Sequence, residues 1–315
     1  TSATSIAENS GSTLTLTATI SQAADEDVTV NLGAAGTSTN GTDYGSISSI
    51  TVSAGDTTGT ATFDPTDDSI YEGNETAVIS ISSVSGADAA ESGSQSVTIT
   101  ITENESSPTI TLATSASSIA ENAGSSLTLT ATSSIVADEA ITVAIGTSGT
   151  GTEGTDYSTI SDITISAGAT TGTASFTPTD DSIFEGDETG IVAITGVSGA
   201  DAAESGSQSV TITITDNETT APKVTLTSSA SSIAENSGSS ITLTATLSVA
   251  TTADVTVGLS KDSGAATEGT DFNNLSDITV TAGNTTGTTS FTPINDSIYD
   301  AASNETAVII IDSVS

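Results

Sequence analysis

The sequence predicts an all-β protein made of tandem seven-stranded Greek-key, immunoglobulin-like β-sandwiches arranged as a rod. Three observations lead there. Apolar residues alternate with Ser and Thr at the two-residue period of a half-buried strand, and no helical period occurs anywhere. The chain repeats itself at a domain-sized interval: Glu8, Glu121 and Glu235 open matching Glu-Asn segments, at offsets of 113 and 114. Gly, Asn and Asp cluster between the alternating segments, where turns are needed.

The strands are most legible in the second repeat. Residues 109–113 alternate after Pro108. Residues 126–133 place Leu127, Leu129 and Ala131 on one face and Thr128, Thr130 and Thr132 on the other. Ile141, Val143 and Ile145 continue the pattern, followed by Ile163 with Ile165 and Ala174 with Phe176. The longer apolar run 189–197 reads as a central strand, and Val210, Ile212 and Ile214 close the domain. One apolar face per strand means two sheets packed face to face. β-branched Thr suits the wet faces, and the default topology for such a strand set is the Greek-key sandwich.

Further signatures fix the repeat boundaries. Gly41-Thr42-Asp43-Tyr44 returns as Gly154-Thr155-Asp156-Tyr157 and Gly269-Thr270-Asp271-Phe272. Asp67-Asp68-Ser69-Ile70-Tyr71-Glu72 returns as Asp180-Asp181-Ser182-Ile183-Phe184-Glu185 and, altered, from Asn295. Three domains follow, over residues 1–105, 108–218 and 222–315. Thr1 aligns with Thr114, so the first domain is expected to lack its first strand. Ser315 aligns with Ser198, so the third is expected to lack its last. The junctions 103–108 and 216–222 are short, and Pro108 and Pro222 stiffen them.

Composition removes several function classes. The 315 residues carry 40 Asp plus Glu against 2 Lys plus Arg, a net charge of -38, with no Cys and no His. No Ser-His-Asp triad, thiolate nucleophile or His/Cys zinc site can be built, and the chain reads as no enzyme. Two cations cannot neutralise a phosphate backbone, so nucleic acid is not an expected partner. No apolar run approaches the roughly 20 residues of a spanning helix, so direct membrane insertion is not expected either. Disorder, the usual reading of such acidity, conflicts with the strict alternation and with only 13% charged residues. Few aromatics and many small side chains imply a thin core without disulfide staples, for which a metal is the obvious substitute.

The acids are not scattered. In the second repeat Glu121, Asp156, Asp180, Asp181, Glu185, Glu188, Asp216 and Glu218 all fall at strand ends or in loops. Alternate connections of a Greek key meet at one end of the sandwich, here the end facing the next domain. Carboxylates gathered there repel by about 1 kcal/mol per close pair even in water, and no Lys or Arg stands nearby. A hard cation with about six to eight oxygen ligands answers that charge, and oxygen-only ligation favours Ca2+. A solvated, aggregation-resistant surface is the bland alternative; the recurrence of one spacing in three copies argues against it. No EF-hand loop is present.

The order of these motifs resembles the Calx-beta domain: Glu-Asn-x-Gly, Gly-Thr-Asp-Tyr, an Ala-Gly-x-Thr-Thr-Gly turn, Asp-Asp-x-x-x-Glu-x-x-Glu, then closing acids. The resemblance covers essentially the whole chain. It implies ligation in the first repeat by Glu8, Asp43, Asp67, Asp68, Glu72 and Glu75, with Glu103 and Glu105 closing the site and the Ile70 carbonyl adding a ligand. In the second repeat it implies the eight acids already named, with Ile183 in the place of Ile70. In the third it implies Glu235, Asp271, Asn295, Asp296, Asp300 and Glu305, a weakened set. There Asn295 replaces an Asp, Asp300 is shorter than Glu, Ala301-Ala302 lengthens the loop, and the sequence stops at Ser315 before the position of the closing acids.

The family occurs in sodium–calcium exchangers and in large extracellular adhesion and matrix proteins. The Ser/Thr-rich, nearly Lys-free repeats resemble bacterial surface proteins. The expected function is therefore a calcium-stiffened structural repeat at the cell surface, a stalk, adhesin or filament segment. Its partners would be neighbouring repeats of the same chain or further copies in a homopolymer. The alternatives are calcium-sensing regulatory domains of a membrane protein, or a module that binds glycans or proteins.

Overall fold

The computed structural model describes residues 1–218, 220–296 and 304–315. Asp300, named above, lies outside the described residues. In the second repeat every strand expected from the alternation is present, and shorter ones join them. One sheet runs Ser118–Ala120, Ser209–Thr215, Glu188–Ser198, Ile141–Gly149, Ile163–Ile165. The other runs Thr171–Phe176, Leu127–Ser133, Thr109–Thr114, Ala203–Glu204. The long apolar run is the middle strand of its sheet, with Gly190, Val192 and Ile194 turned to the core.

Alternation places Ile110, Leu129, Ile141, Val143, Ile163, Ile165, Val192 and Ile212 between the sheets, all essentially buried. Burying one such side chain contributes about 1.5–3 kcal/mol. Tyr157 stacks on Phe176 in the same core at 4.6 Å between ring centroids, as Tyr44 does on Phe63 and Phe272 on Phe291.

The first and third repeats depart from this plan where the alignment places missing strands. Leu14–Thr19 pairs only with Thr58–Phe63, without a counterpart of Thr109–Thr114, and an open groove of about 1250 Å³ lies between the sheets there. In the third repeat the sheet Ile278–Val280, Val255–Ser263, Val308–Val314 has no closing strand among the described residues. Val308, Ile310 and Val314 are exposed along its last strand.

The repeats touch through two-residue strands. Val136–Ala137 pairs in parallel with Ile70–Tyr71, and Ala250–Thr251 pairs in parallel with Ile183–Phe184. Tyr71, 9 % exposed, belongs to the second repeat's core cluster although its chain segment belongs to the first. Its hydroxyl donates to Asp201 Oδ2 at 3.1 Å. Among the described residues no helix is long and apolar enough to cross a membrane.

Candidate metal centre

Strand register brings the acids together. Ser5–Ala7 runs parallel to Ser96–Thr102 with Ala7 opposite Thr102, so the next residues, Glu8 and Glu103, become neighbours. Ala120 opposite Thr215 does the same for Glu121 and Asp216. A single 3-10 turn begins at each Glu and ends on a left-handed glycine, Gly11 or Gly124, which turns the chain away from the carboxylate.

Asp43 is placed by its neighbour. Tyr44 is locked in the core, and the amide of Gly41 donates to the Tyr44 carbonyl at 2.8 Å. Gly41 closes this turn at φ 89, which favours glycine. Asp43 Oδ2 accepts the Thr39 amide at 2.5 Å, and Asp156 accepts that of Thr152 in the same way.

Two acids in each of the first two repeats shape the loops. Glu103 Oε2 accepts the amides of Glu72 and Gly73 at 2.7 and 2.9 Å, while its Oε1 accepts those of Asn104 and Glu105. Asp216 holds Glu185, Gly186 and Glu218 likewise. Asp68 Oδ1 accepts the Ile70 amide, and Asp181 Oδ1 that of Ile183. These carboxylates thus fix the loop on which their partners stand.

Within the acid site of each of the first two repeats, two groups of three come closest together, and they adjoin: the charges of Asp216 and Glu218 in one group act on Glu185 in the other. Glu8, Asp67 and Glu105 form one, and Asp43, Glu72 and Glu75 another. In the second repeat the groups are Glu121, Asp216 and Glu218, and Asp156, Glu185 and Glu188. Each group brings ligand atoms within 4.8 Å of one another. Asp180 lies at the rim, where Asn217 Nδ2 donates to it at 3.4 Å.

The third repeat assembles no such group among the described residues. Without a closing strand beside it, residues 232–234 form no strand, and Glu235 is exposed where Glu8 and Glu121 are buried. Glu235 accepts the Asp296 amide, and Asp271 keeps its bond from Thr267. Asn295, Asp296 and Glu305 are exposed.

The electrostatics follow from burial. Desolvation, reinforced by Glu105 and Glu103, pushes Glu8 up to about 8. Burial and then the charge of Asp43 push Glu72 to about 7 and Glu75 to about 8. Glu121 and Glu188 rise to about 7, again by burial first, then by Asp216 and Asp156 respectively. For Glu103 burial is outweighed by the amides of Glu105 and Glu72, and it falls to about 2.

A cation fits this donor set. All the donors are hard oxygens, and the only two basic side chains, Lys223 and Lys261, lie in the third repeat. Glu8 Oε1 and Glu121 Oε1 are buried without a hydrogen-bond partner, on residues 6 % exposed. Orphaned buried acceptors of this kind are rare and call for an ion or a proton.

The family model of the Calx-beta domain matches three times in succession, over residues 1–105, 103–218 and 217–315. The chain belongs to the Calx-beta family. Solved structures that the chain is similar to include CBD12 from CALX1.2, at 14% identity over 67% of this chain and 95% of that one, TM-score 0.29. The apo form of the Calx CBD1 domain is 18% identical over 35% of this chain and 98% of its own, TM-score 0.30. Invasin, a bacterial integrin-binding protein, is 16% identical over 95% of this chain and 57% of its own, TM-score 0.30. Among curated proteins the sequence finds no match.

One residue that acts on these Calx-beta sites from outside the acid groups was not among those picked out from the sequence. Asp138 belongs to the second repeat, yet its charge acts on Glu72 and Glu75 of the first. Its amide donates to the Tyr71 carbonyl at 3.2 Å. The acidic pair Asp138-Glu139 was visible, but at the opposite end of its own domain from the other acids, and only the junction brings it across.

Proposed function

We propose that this Calx-beta chain is a non-catalytic structural module of an extracellular surface protein, such as a stalk, adhesin or filament, in which Ca2+ held by the acid groups stabilises the repeats and their junctions. The observation that carries this reading is the buried, unpartnered oxygens of Glu8 and Glu121 inside three-acid groups that no basic residue neutralises. In the first repeat Glu8, Asp67, Glu105, Asp43, Glu72 and Glu75 would hold the ions, with the Ile70 carbonyl as a further ligand. In the second, Glu121, Asp216, Glu218, Asp156, Glu185 and Glu188 would do so, with the Ile183 carbonyl, Asp181 and, at the rim, Asp180. A cluster of this richness suits about two to four ions.

The bound cation would supply charge neutralisation and a cross-link between loops. The protein's own groups supply the rest: the amides held by Glu103 and Asp216 keep the loops in place before any ion arrives. Sites of this extracellular type fill at the millimolar calcium found outside cells. In this reading the partners are neighbouring repeats of the same chain and further copies of it.

Thermal melting of the full chain with calcium and with chelator tests the proposal. Ions bound only by the folded state add about 2.7 kcal/mol per site at a hundredfold excess over Kd, so the midpoints are expected to separate widely. Equal midpoints would overturn the metal reading.

A further inference from the structure

The two junctions are built from the same strand pairing but differ in chemistry. At the first, Ala137 pairs with Tyr71, and the residue that follows is Asp138. At the second, Thr251 pairs with Phe184, and the residue that follows is Thr252. The same backbone position, one residue past the pairing with the preceding repeat, thus carries a carboxylate once and a hydroxyl once. A second difference runs the same way: Tyr71 donates to Asp201 across the first junction, whereas Phe184 has no hydroxyl to donate.

The amide of Asp138 bonds the carbonyl of Tyr71, the residue before Glu72, and Glu72 belongs to an acid group that no basic residue neutralises. Asp43, Glu72 and Glu75 bring their oxygens within 4.8 Å of one another. The hydroxyl of Tyr44, a residue 1 % exposed, is buried without a partner and lies in the field of Asp43 and Glu75. Asp138 is not one of the three whose oxygens come within 4.8 Å of one another, but the pairing of Ala137 with Tyr71 pins its backbone beside Glu72; a further carboxylate on that approach, with no Lys or Arg in either repeat, adds repulsion across the interface unless an ion offsets it. The parallel pairing holds Asp138 there through its own amide on the Tyr71 carbonyl.

We propose that Asp138 of the second repeat is a ligand of the divalent cation held by Asp43, Glu72 and Glu75 of the first, so that metal locks the first junction while the second, with Thr252, lacks this cross-domain ligand. This rests on the calcium reading above and adds to it a difference between junctions that the repeats alone would not show. Calcium then stiffens the chain unevenly, with a tight joint between repeats one and two and a looser one between two and three.

The absence of Cys allows pairs of spin labels to be placed by single Cys substitutions on exposed Ser or Thr positions flanking each junction of the full chain. Distance distributions are then measured with calcium chloride and with chelator, and calcium affinity is measured by calorimetry. In the wild type, calcium is expected to narrow the distribution across the first junction and to leave the second broad. D138N is expected to abolish that narrowing and to weaken one calcium-binding step by roughly tenfold, since the charge count of the ligands tunes calcium affinity. T252D is expected to create narrowing at the second junction. If D138N binds calcium with wild-type affinity, Asp138 lies outside the coordination sphere and the proposal is overturned, whatever the labels report. If the wild type binds no calcium at all, the underlying metal reading fails first, and the two failures are told apart by that control.

Discussion

Glu8 and Glu121 each bury a carboxyl oxygen that no donor reaches, and leaving such a group unpaired costs about 1–3 kcal/mol, more when it is charged. Replacing Glu121 by Gln removes the charge and adds an NH2 donor that faces Asp216 and Glu218. In chelator at pH 8 the variant is expected to melt several degrees above the wild type, since about 1 kcal/mol moves a domain of this size by about 4–8 °C. In millimolar calcium the order should reverse; a lower midpoint in both buffers would mean that Glu121 acts through packing alone. The titrations give a second test. Glu8 and Glu75, at about 8, and Glu72, Glu121 and Glu188, at about 7, hold protons in the folded protein that the unfolded chain releases near 4.5. Their contribution is complete below pH 4.5 and is lost as pH rises through 7 to 8. Glu103, at about 2, works in the opposite sense, contributing above 4.5 and losing that only as pH falls through 2. The chelated protein should therefore melt lower at pH 8.5 than at pH 5.5, and the stabilisation added by calcium should grow over the same interval. A flat profile in chelator would contradict the burial of these acids.

At the scale of elements, the alternation of Leu127, Leu129 and Ala131 with threonines was enough to place a strand and choose its buried face. The short strands Ser118–Ala120, Val136–Ala137 and Ile183–Phe184 were not legible in this way, because a two- or three-residue strand is too short to show a period. What defines them is the partner: Ile119 is in a strand because Ile214 lies beside it. Glycines within the ladder mark other close approaches. Gly149 ends Ile141–Gly149 at φ 123, and a Cβ there would run into the Thr189 carbonyl of the neighbouring strand. Gly149→Ala is expected to destabilise the second repeat by more than about 2 kcal/mol, as a backbone clash requires. Gly168→Ala, in an open turn at φ 78, should cost only about 1 kcal/mol. Denaturant midpoints of the two variants check the difference, and equal losses would show that the clash at Gly149 relaxes freely.

For the whole molecule, three core clusters imply three folding units, with Tyr71 as the exception that belongs to two. Its ring packs into the second repeat while its strand pairs within the first junction. The first two repeats are therefore expected to unfold together and the third separately. Tyr71→Ala removes a buried aromatic, a loss of about 3 kcal/mol, and should split the joint transition in calorimetry. Tyr71→Phe loses only the bond to Asp201, about 1 kcal/mol, and should leave the transition joined. Independent unfolding of the first two repeats in the wild type would show that Tyr71 transmits no coupling.

The sequence by itself determined the strand period, the three copies, the residue types at the site and the hard-oxygen character of its ligands, because each is written in local spacing and composition. Only the tertiary structure divided the acids into groups of three, assigned Glu103 and Asp216 to holding loops, and carried Asp138 across a domain boundary to the acids of the repeat before it. The physical reason is range. A side chain's face on a strand is decided by its immediate neighbours. Which carboxylates come within a cation's reach is decided by parallel register between strands nearly a hundred residues apart and by how one repeat docks on the next.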